Sequence, residues 1–168
     1  MPKILVVYYS RTGHTRQVAA EVAAALGADL EEIQDPTPRS GFFGYLRSGR
    51  EAYFRRLAPI AAAGRDPSRY DLVVIGTPIW NASLSSPVRS YLRRYGFAIR
   101  SVAFFCTCGG FGMNRVFRQM ARDSGRTPVA RLVVREKDLG SADRASMIAR
   151  FADEIRATMR ATPARQSA

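Results

Sequence analysis

Three runs of consecutive apolar residues limit the possible folds of this chain more than any other feature. They cover residues 4–9, 72–75 and 102–105, and residues 130–134 form a weaker fourth run. Because the apolar residues in these runs do not alternate with polar ones, both faces of each strand are expected to be buried. Such strands are typical of a parallel sheet that helices cover on both sides. Residues 30–33 predict a short fifth strand at an edge of this sheet.

Helical patterns fill the intervals between these strands. Val18, Val22 and Leu26 are spaced by four residues, and Gly27 follows where a C-cap glycine is expected. Residues 35–70 fit less well and predict a loop, a helix over about 43–56, and a second loop. Three more helices are predicted, at 88–95 with Ser86 as N-cap, at 114–123, and after Ser141. The alternation of strands and helices predicts a doubly wound α/β sandwich.

The composition predicts one soluble domain. Of the 168 residues, 46% are hydrophobic and 24% are charged, which is ordinary for a globular protein. No apolar run approaches the roughly 20 residues of a membrane-spanning helix, and the first run is too short for the core of a signal peptide. We therefore expect a cytoplasmic protein with no transmembrane segment. Residues 1–160 are assigned to the domain and residues 161–168 to a flexible C-terminal tail.

The charge is strongly positive. Lys and Arg number 26 against 14 Asp and Glu, which gives a formal net charge of +12. Such a surface attracts anions, whether nucleic acid, acidic lipid, a phosphorylated cofactor or an acidic partner. The arginines are scattered along the chain, so an ordinary solvated surface is the alternative interpretation.

The turn after the first strand predicts a phosphate-binding site. Ser10, Thr12 and Thr15 supply hydroxyl groups, and Gly13 allows the backbone to turn tightly. The helix that follows offers unpaired N–H groups and the positive end of its dipole. A polar strand-to-helix turn with a threonine cap is the alternative. The candidate residues of this loop are Ser10, Arg11, Thr12, Gly13, His14 and Thr15, with His14 either a phosphate donor or a solvent-facing residue.

Two later loops predict contacts with a planar ring. Trp80, the single tryptophan, follows a strand and can stack on a flat ligand, although it can equally pack under its own loop. After the next strand, three glycines in four residues allow close backbone approach, and Phe111 is a second stacking group. Cys106 and Cys108 are expected to point to opposite faces of the strand and not to form a disulfide. The candidate residues are Thr77, Pro78, Ile79, Trp80 and Asn81 in the first ring loop, and Thr107, Cys108, Gly109, Gly110 and Phe111 in the second.

With these three loops in this order, the chain resembles flavodoxins and the wider family of flavodoxin-like FMN proteins over nearly its whole length. Ser10, Thr12, Gly13 and Thr15 match the family's T-x-T-G-x-T phosphate loop, with Ser in place of the first Thr. The resemblance implies a five-stranded parallel sheet in the order 2-1-3-4-5 within a three-layer α/β/α sandwich. It also implies FMN as the cofactor, with the hydroxyl loop on its phosphate and the two ring loops around its isoalloxazine ring.

Departures from the family pattern indicate an unusual redox role. Flavodoxins that act as electron shuttles are typically acidic and carry a tyrosine in the second ring loop, where Phe111 or Met113 stands here. One positive charge about 8 Å from a reduced anionic flavin stabilises it by roughly 2 kcal/mol at an effective dielectric of about 20. This corresponds to on the order of 90 mV for one electron. We therefore predict a flavin that is easier to reduce than that of a low-potential shuttle.

The resemblance implies an oxidoreductase in which FMN carries the chemistry and no side chain is catalytic. The leading expectation is electron transfer from NAD(P)H or a partner protein to a quinone-like acceptor. The alternatives are a non-enzymatic electron carrier and a flavodoxin-like protoporphyrinogen oxidase. The segment 39–56, rich in arginine and aromatic residues, is expected to cap the flavin or simply to pack on the sheet. No nucleic-acid-binding fold accompanies this segment, so no nucleic-acid partner is expected.

Overall fold

The computed structural model describes residues 2–36 and 41–161. Within these residues, strands and helices alternate as the sequence predicts. The strands are β1 (Ile4–Tyr8), β2 (Asp29–Glu32), β3 (Leu72–Trp80), β4 (Ser83–Leu84), β5 (Val102–Cys108) and β6 (Arg131–Arg135). The helices are α1 (His14–Leu26), α2 (Gly41–Tyr53), α3 (Ser86–Tyr95), α4 (Met113–Ser124) and α5 (Asp143–Ala161).

Five of the strands form a parallel sheet in the order β2-β1-β3-β5-β6. Numbered among themselves along the chain, these five strands follow the predicted order 2-1-3-4-5. The predicted edge position of β2 is also confirmed. The two-residue strand β4 was not predicted, and it pairs antiparallel with the end of β3. The sheet therefore has the expected doubly wound form with one short addition.

Helices cover both faces of the sheet, and each face has its own apolar core. On one side, Val88 of α3 and Met120 of α4 pack against the sheet and are fully buried. On the other side, Val22 of α1 and Ile155 of α5 are equally buried. Successive residues of β1 enter the two cores in turn, because side chains of a strand alternate between its faces. This confirms the three-layer sandwich and explains why the strand sequences are apolar throughout.

The third strand differs most from its predicted length. It continues to Trp80 instead of ending at Ile75, because its second half still pairs with β5 as far as Pro78 and Thr107. Its last two residues then pair with β4. The first ring loop is thus an extended strand that ends in a hairpin, and Trp80 lies on the strand itself.

Several helix ends also differ from prediction by one to three residues. Helix α3 is capped by Ser85 and already includes Ser86 and Pro87. Helix α2 begins at Gly41 and ends at Tyr53, ahead of the predicted end at residue 56. Residues 37–40, which include the start of the segment 39–56, lie outside the described residues, as do residues 162–168 of the predicted tail. None of the helices in the described parts of the chain is long and apolar enough to cross a membrane.

Candidate functional site

A cavity of about 580 Å³ lies at the carboxyl ends of the parallel strands. The loop after β1, the end of β3, the end of β5 and helix α2 form its walls. Ligands of open α/β sheets bind at this edge, beside the strand where the connections change direction. The volume falls in the range of small-molecule and cofactor sites. The twelve predicted site residues that line it are Arg11, Thr12, His14, Thr15, Pro78, Ile79, Trp80, Asn81, Thr107, Cys108, Gly109 and Phe111.

The loop after β1 presents the N-terminus of α1 to this cavity. Gly13 is the N-cap with φ of 98°, a left-handed conformation that favours glycine. Its N–H donates to Ser10 Oγ at 3.1 Å, which fixes the turn. The N–H of Gln17 donates to the carbonyl of Gly13 at 3.0 Å, so the N–H groups that precede it in the first turn have no acceptor further back in the helix. This arrangement suits an anion.

Thr15 and Thr107 join the first turn of α1 to the end of β5. Their hydroxyl oxygens are 2.8 Å apart, and both residues are buried. Each hydroxyl carries one proton, so one proton is used within the pair and the other is free to point to a ligand. Both residues line the cavity. The pair therefore positions one hydroxyl donor in the site and couples α1 to β5.

Trp80 is held firmly at the end of β3. The side chain is only 8% exposed, and its ring meets the ring of Tyr9 edge to face at a centroid distance of 5.5 Å. The Asn81 and Ala82 turn that follows has φ of 48° and 54°, as in the type I′ turn of a tight hairpin. Trp80 thus packs against Tyr9 just after β1 and also lines the cavity, and its predicted stacking on a ring stays a prediction.

The second ring loop lies against this hairpin. A Cβ added to Gly112 would approach the Cα of Ala82 to 2.7 Å, so only glycine allows the two loops to pack this closely. Phe111 next to it is 71% exposed and lines the cavity. A Cβ added to Gly109 would meet no atom of the described residues within 4 Å. The backbone at that position is therefore open to a ligand.

The two cysteines lie on the same face of β5, and the expectation of opposite faces is wrong. Residues two apart on a strand point to the same side, and the Cys106 and Cys108 thiols form a hydrogen bond. Both are free cysteines. This bond and burial raise the pKa of Cys106, whereas the bond lowers the pKa of Cys108 to about 7, with further help from the Gly110 N–H. Cys108 is the one that faces the cavity.

Four predicted site residues do not line the cavity. Ser10 and Gly13 instead shape the turn before α1. Thr77 is fully buried, and its hydroxyl is 2.9 Å from Ser85 Oγ. Gly110 is exposed in the second ring loop, where its N–H helps to lower the pKa of Cys108.

Other cavity residues were missed because their positions depend on the tertiary fold. Leu46, Ser48, Gly49 and Arg50 come from α2, within the segment that the sequence predicts as a cap. Glu136 follows β6 and reaches the same edge of the sheet. An acidic residue directly after a parallel strand was the only available signal for Glu136.

The charged groups around the cavity are mixed. Among the described residues that line it, the cations are Arg11 and Arg50 and the carboxylate is Glu136. Both Arg50 and Glu136 are exposed. The cavity thus offers two cationic groups to an anion, and the net charge of its lining stays small.

Comparison with known proteins agrees with this geometry. The family model described as "Flavodoxin" matches residues 3–131, from just before β1 to the first residue of β6. A curated relative named NAD(P)H dehydrogenase (quinone), from Cupriavidus metallidurans, is 32% identical over 103 residues, which are 57% of this chain and 48% of that protein. The chain therefore spans about half the length of the curated relatives that it matches.

Solved structures share the fold at lower sequence identity. A flavoprotein from Lactobacillus acidophilus, crystallised in complex with FMN, superposes with a TM-score of 0.69 at 20% identity, covering 87% of this chain and 99% of that one. Flavodoxin 2 from Bacillus cereus gives a TM-score of 0.61 at 15% identity and covers 93% of this chain and 99% of its own. These structures share the fold, and the match to the family model supports FMN as the cofactor, as the sequence predicts.

Proposed function

The chain belongs to the flavodoxin family, and from this premise we propose that it is an FMN-dependent oxidoreductase. Electrons pass from NAD(P)H or a partner protein to a quinone-like acceptor. The observation that carries this proposal is the cavity of about 580 Å³, in which the N-terminus of α1 and both ring loops meet. A site with an anion-binding end and a wide aromatic-lined end suits a phosphorylated, planar cofactor.

The phosphate is assigned to the N-terminal end of α1. The first-turn N–H groups, the hydroxyl of Thr12 and the free proton of the Thr15 and Thr107 pair supply donors there. Arg11 and His14 line the same end of the cavity. The residues present therefore fit the group.

The ring is assigned to the space between the two ring loops. Trp80 gives a fixed aromatic wall because it is held against Tyr9. Phe111 gives a wall that is still exposed and free to close on a ligand. The backbone of Asn81 and Gly109 borders this space and offers polar groups to the edge of the ring.

FMN, when bound, supplies the two-electron chemistry that the side chains lack. In the net reaction NAD(P)H gives up a hydride and becomes NAD(P)⁺. The quinone gains these two electrons together with two protons, one of them from water, and becomes a hydroquinone. The chain binds and orients both reactants and limits the access of water. The curated relatives named NAD(P)H dehydrogenase (quinone) support this donor and acceptor.

FMN titration of the purified protein tests the first half of the proposal. Binding weakened at least tenfold in Thr12→Ala, with Thr127→Ala as a matched control on an exposed loop away from the cavity, is the expected result. Quinone-dependent NAD(P)H oxidation by the FMN-loaded protein tests the second half. A protein that binds FMN but shows no turnover with either nucleotide takes its electrons from a partner protein or is a carrier, and a protein that does not bind FMN refutes the proposal.

A further inference from the structure

Helix α2 closes one side of the cavity with two side chains of different character. Leu46 and Arg50 are one helical turn apart, so they share a face of the helix. Both line the cavity, and both are substantially exposed. This face therefore offers an apolar contact and a positive charge side by side at the open side of the site.

Arg50 makes no ion pair within residues 2–36 and 41–161. On the same helix, Arg47 is paired with Glu51 at 2.9 Å and does not line the cavity. Two arginines three residues apart thus differ in both respects: Arg47 is paired and lies outside the cavity, whereas Arg50 lines the cavity and makes no ion pair among the described residues.

Arg50 belongs to the part of α2 that lies near the first ring loop. Its neighbour Gly49 lies over the first ring loop, where a Cβ added to Gly49 would contact the Cβ of Asn81 at 4.0 Å. The phosphate end of the cavity, in contrast, has its own cation in Arg11 and the N-terminus of α1. Arg50 is therefore placed to meet a second molecule that enters beside the ring.

From these observations we propose that the electron acceptor is a planar aromatic compound that carries an anionic group. Its ring lies against the apolar side chain of Leu46, and its anion pairs with Arg50. The guanidinium has several N–H donors in one plane and suits a carboxylate or sulfonate. This inference rests on the proposed function and adds the class of acceptor.

The test uses the FMN-loaded protein and two acceptors with the same ring, a neutral naphthoquinone and a naphthoquinone sulfonate. The readout is the ratio of their two KM values. We expect this ratio, sulfonate over neutral, to rise about two- to fivefold in Arg50→Gln, the range for one exposed ion pair. Arg50→Lys should restore most of the preference, and Arg47→Gln should leave the ratio as in the wild type. Salt should raise the wild-type ratio and leave that of Arg50→Gln nearly constant.

Three results would overturn the inference. An unchanged ratio in Arg50→Gln means that the charge does not select the acceptor. A weaker FMN affinity in Arg50→Gln assigns the arginine to the cofactor phosphate. A change confined to the KM for NADPH assigns it to the phosphates of the donor. Failure of the proposed function is distinct from all of these, because then neither quinone is reduced by the wild-type protein.

Discussion

The hydrogen bond between Thr15 and Thr107 joins α1 to β5 at the proposed site, and valine substitutions separate its structural role from its ligand role. Valine keeps the shape of threonine but replaces the hydroxyl by a methyl group. Water reaches little of either residue, since Thr15 is 2% exposed and Thr107 is 7% exposed. A single substitution therefore leaves one buried hydroxyl without its partner.

The substitutions should affect the free energy of unfolding and the affinity for FMN differently. Each single variant, Thr15→Val or Thr107→Val, should lower the free energy of unfolding of the apoprotein by about 1–2 kcal/mol. The double variant should lie closer to the wild type than either single one, because an apolar pair leaves no unsatisfied group. Affinity for FMN should not recover in the double variant. Its Kd should rise about tenfold, the loss of one hydrogen bond to a charged group of about 1.4 kcal/mol.

Two measurements are needed on the same four proteins. Urea unfolding, followed by the fluorescence of the single tryptophan, gives the stability cycle. Quenching of FMN fluorescence gives the binding cycle. If the two single losses of stability simply add, the two hydroxyls do not share a hydrogen bond. If the double variant binds FMN as tightly as the wild type, the pair does not face the phosphate.

Three further predictions concern neighbouring positions. Gly76→Ala should destabilise the protein by more than about 3 kcal/mol in urea unfolding, because the new Cβ would lie 2.0 Å from the ring of Phe105. The rate of Cys108 alkylation by iodoacetamide should rise with pH, with a midpoint near the Cys108 pKa of about 7. This midpoint should move to higher pH in Cys106→Ala. A midpoint that does not move contradicts the role of the thiol hydrogen bond. Glu136→Gln should raise the flavin midpoint potential, because it removes a negative charge beside the ring. The rise should be tens of mV and less than about 90 mV, because water screens the exposed carboxylate. A potentiometric titration that shows a fall in the potential refutes this prediction.

The sequence predicts the sheet well because each strand is marked by its own residues. An uninterrupted apolar run has few alternatives to a strand buried on both faces, and the short intervals favour parallel crossovers. The phosphate loop is equally local. Its hydroxyls, its glycine and the helix start lie within six residues, so one stretch of chain contains the whole pattern.

The end of β3 could not be predicted because its pairing partners are distant in sequence. Residues Gly76 to Trp80 contain a proline and a glycine and therefore indicate a loop. In the fold they remain in the sheet, since β5 pairs with this stretch as far as Pro78 and β4 pairs with its last two residues. A tertiary contact thus overrides the local preference, and it places Trp80 on a rigid strand instead of a mobile loop.

The effect of each positive charge on the flavin redox potential depends on its distance from the flavin, which the sequence alone does not give. At about 0.1 M salt, exposed charges more than about 10 Å away are largely screened. Most of the 26 basic residues therefore contribute little to the redox potential.

A bound phosphate brings nearly two negative charges, which offset Arg11 and the dipole of α1. The balance beside the ring then depends on Arg50 and Glu136, two exposed residues from elements far apart in sequence. A flavin that is easier to reduce consequently requires that Arg50 lie nearer the ring than Glu136. Neutralising each residue in turn should therefore shift the potential in opposite directions and by unequal amounts.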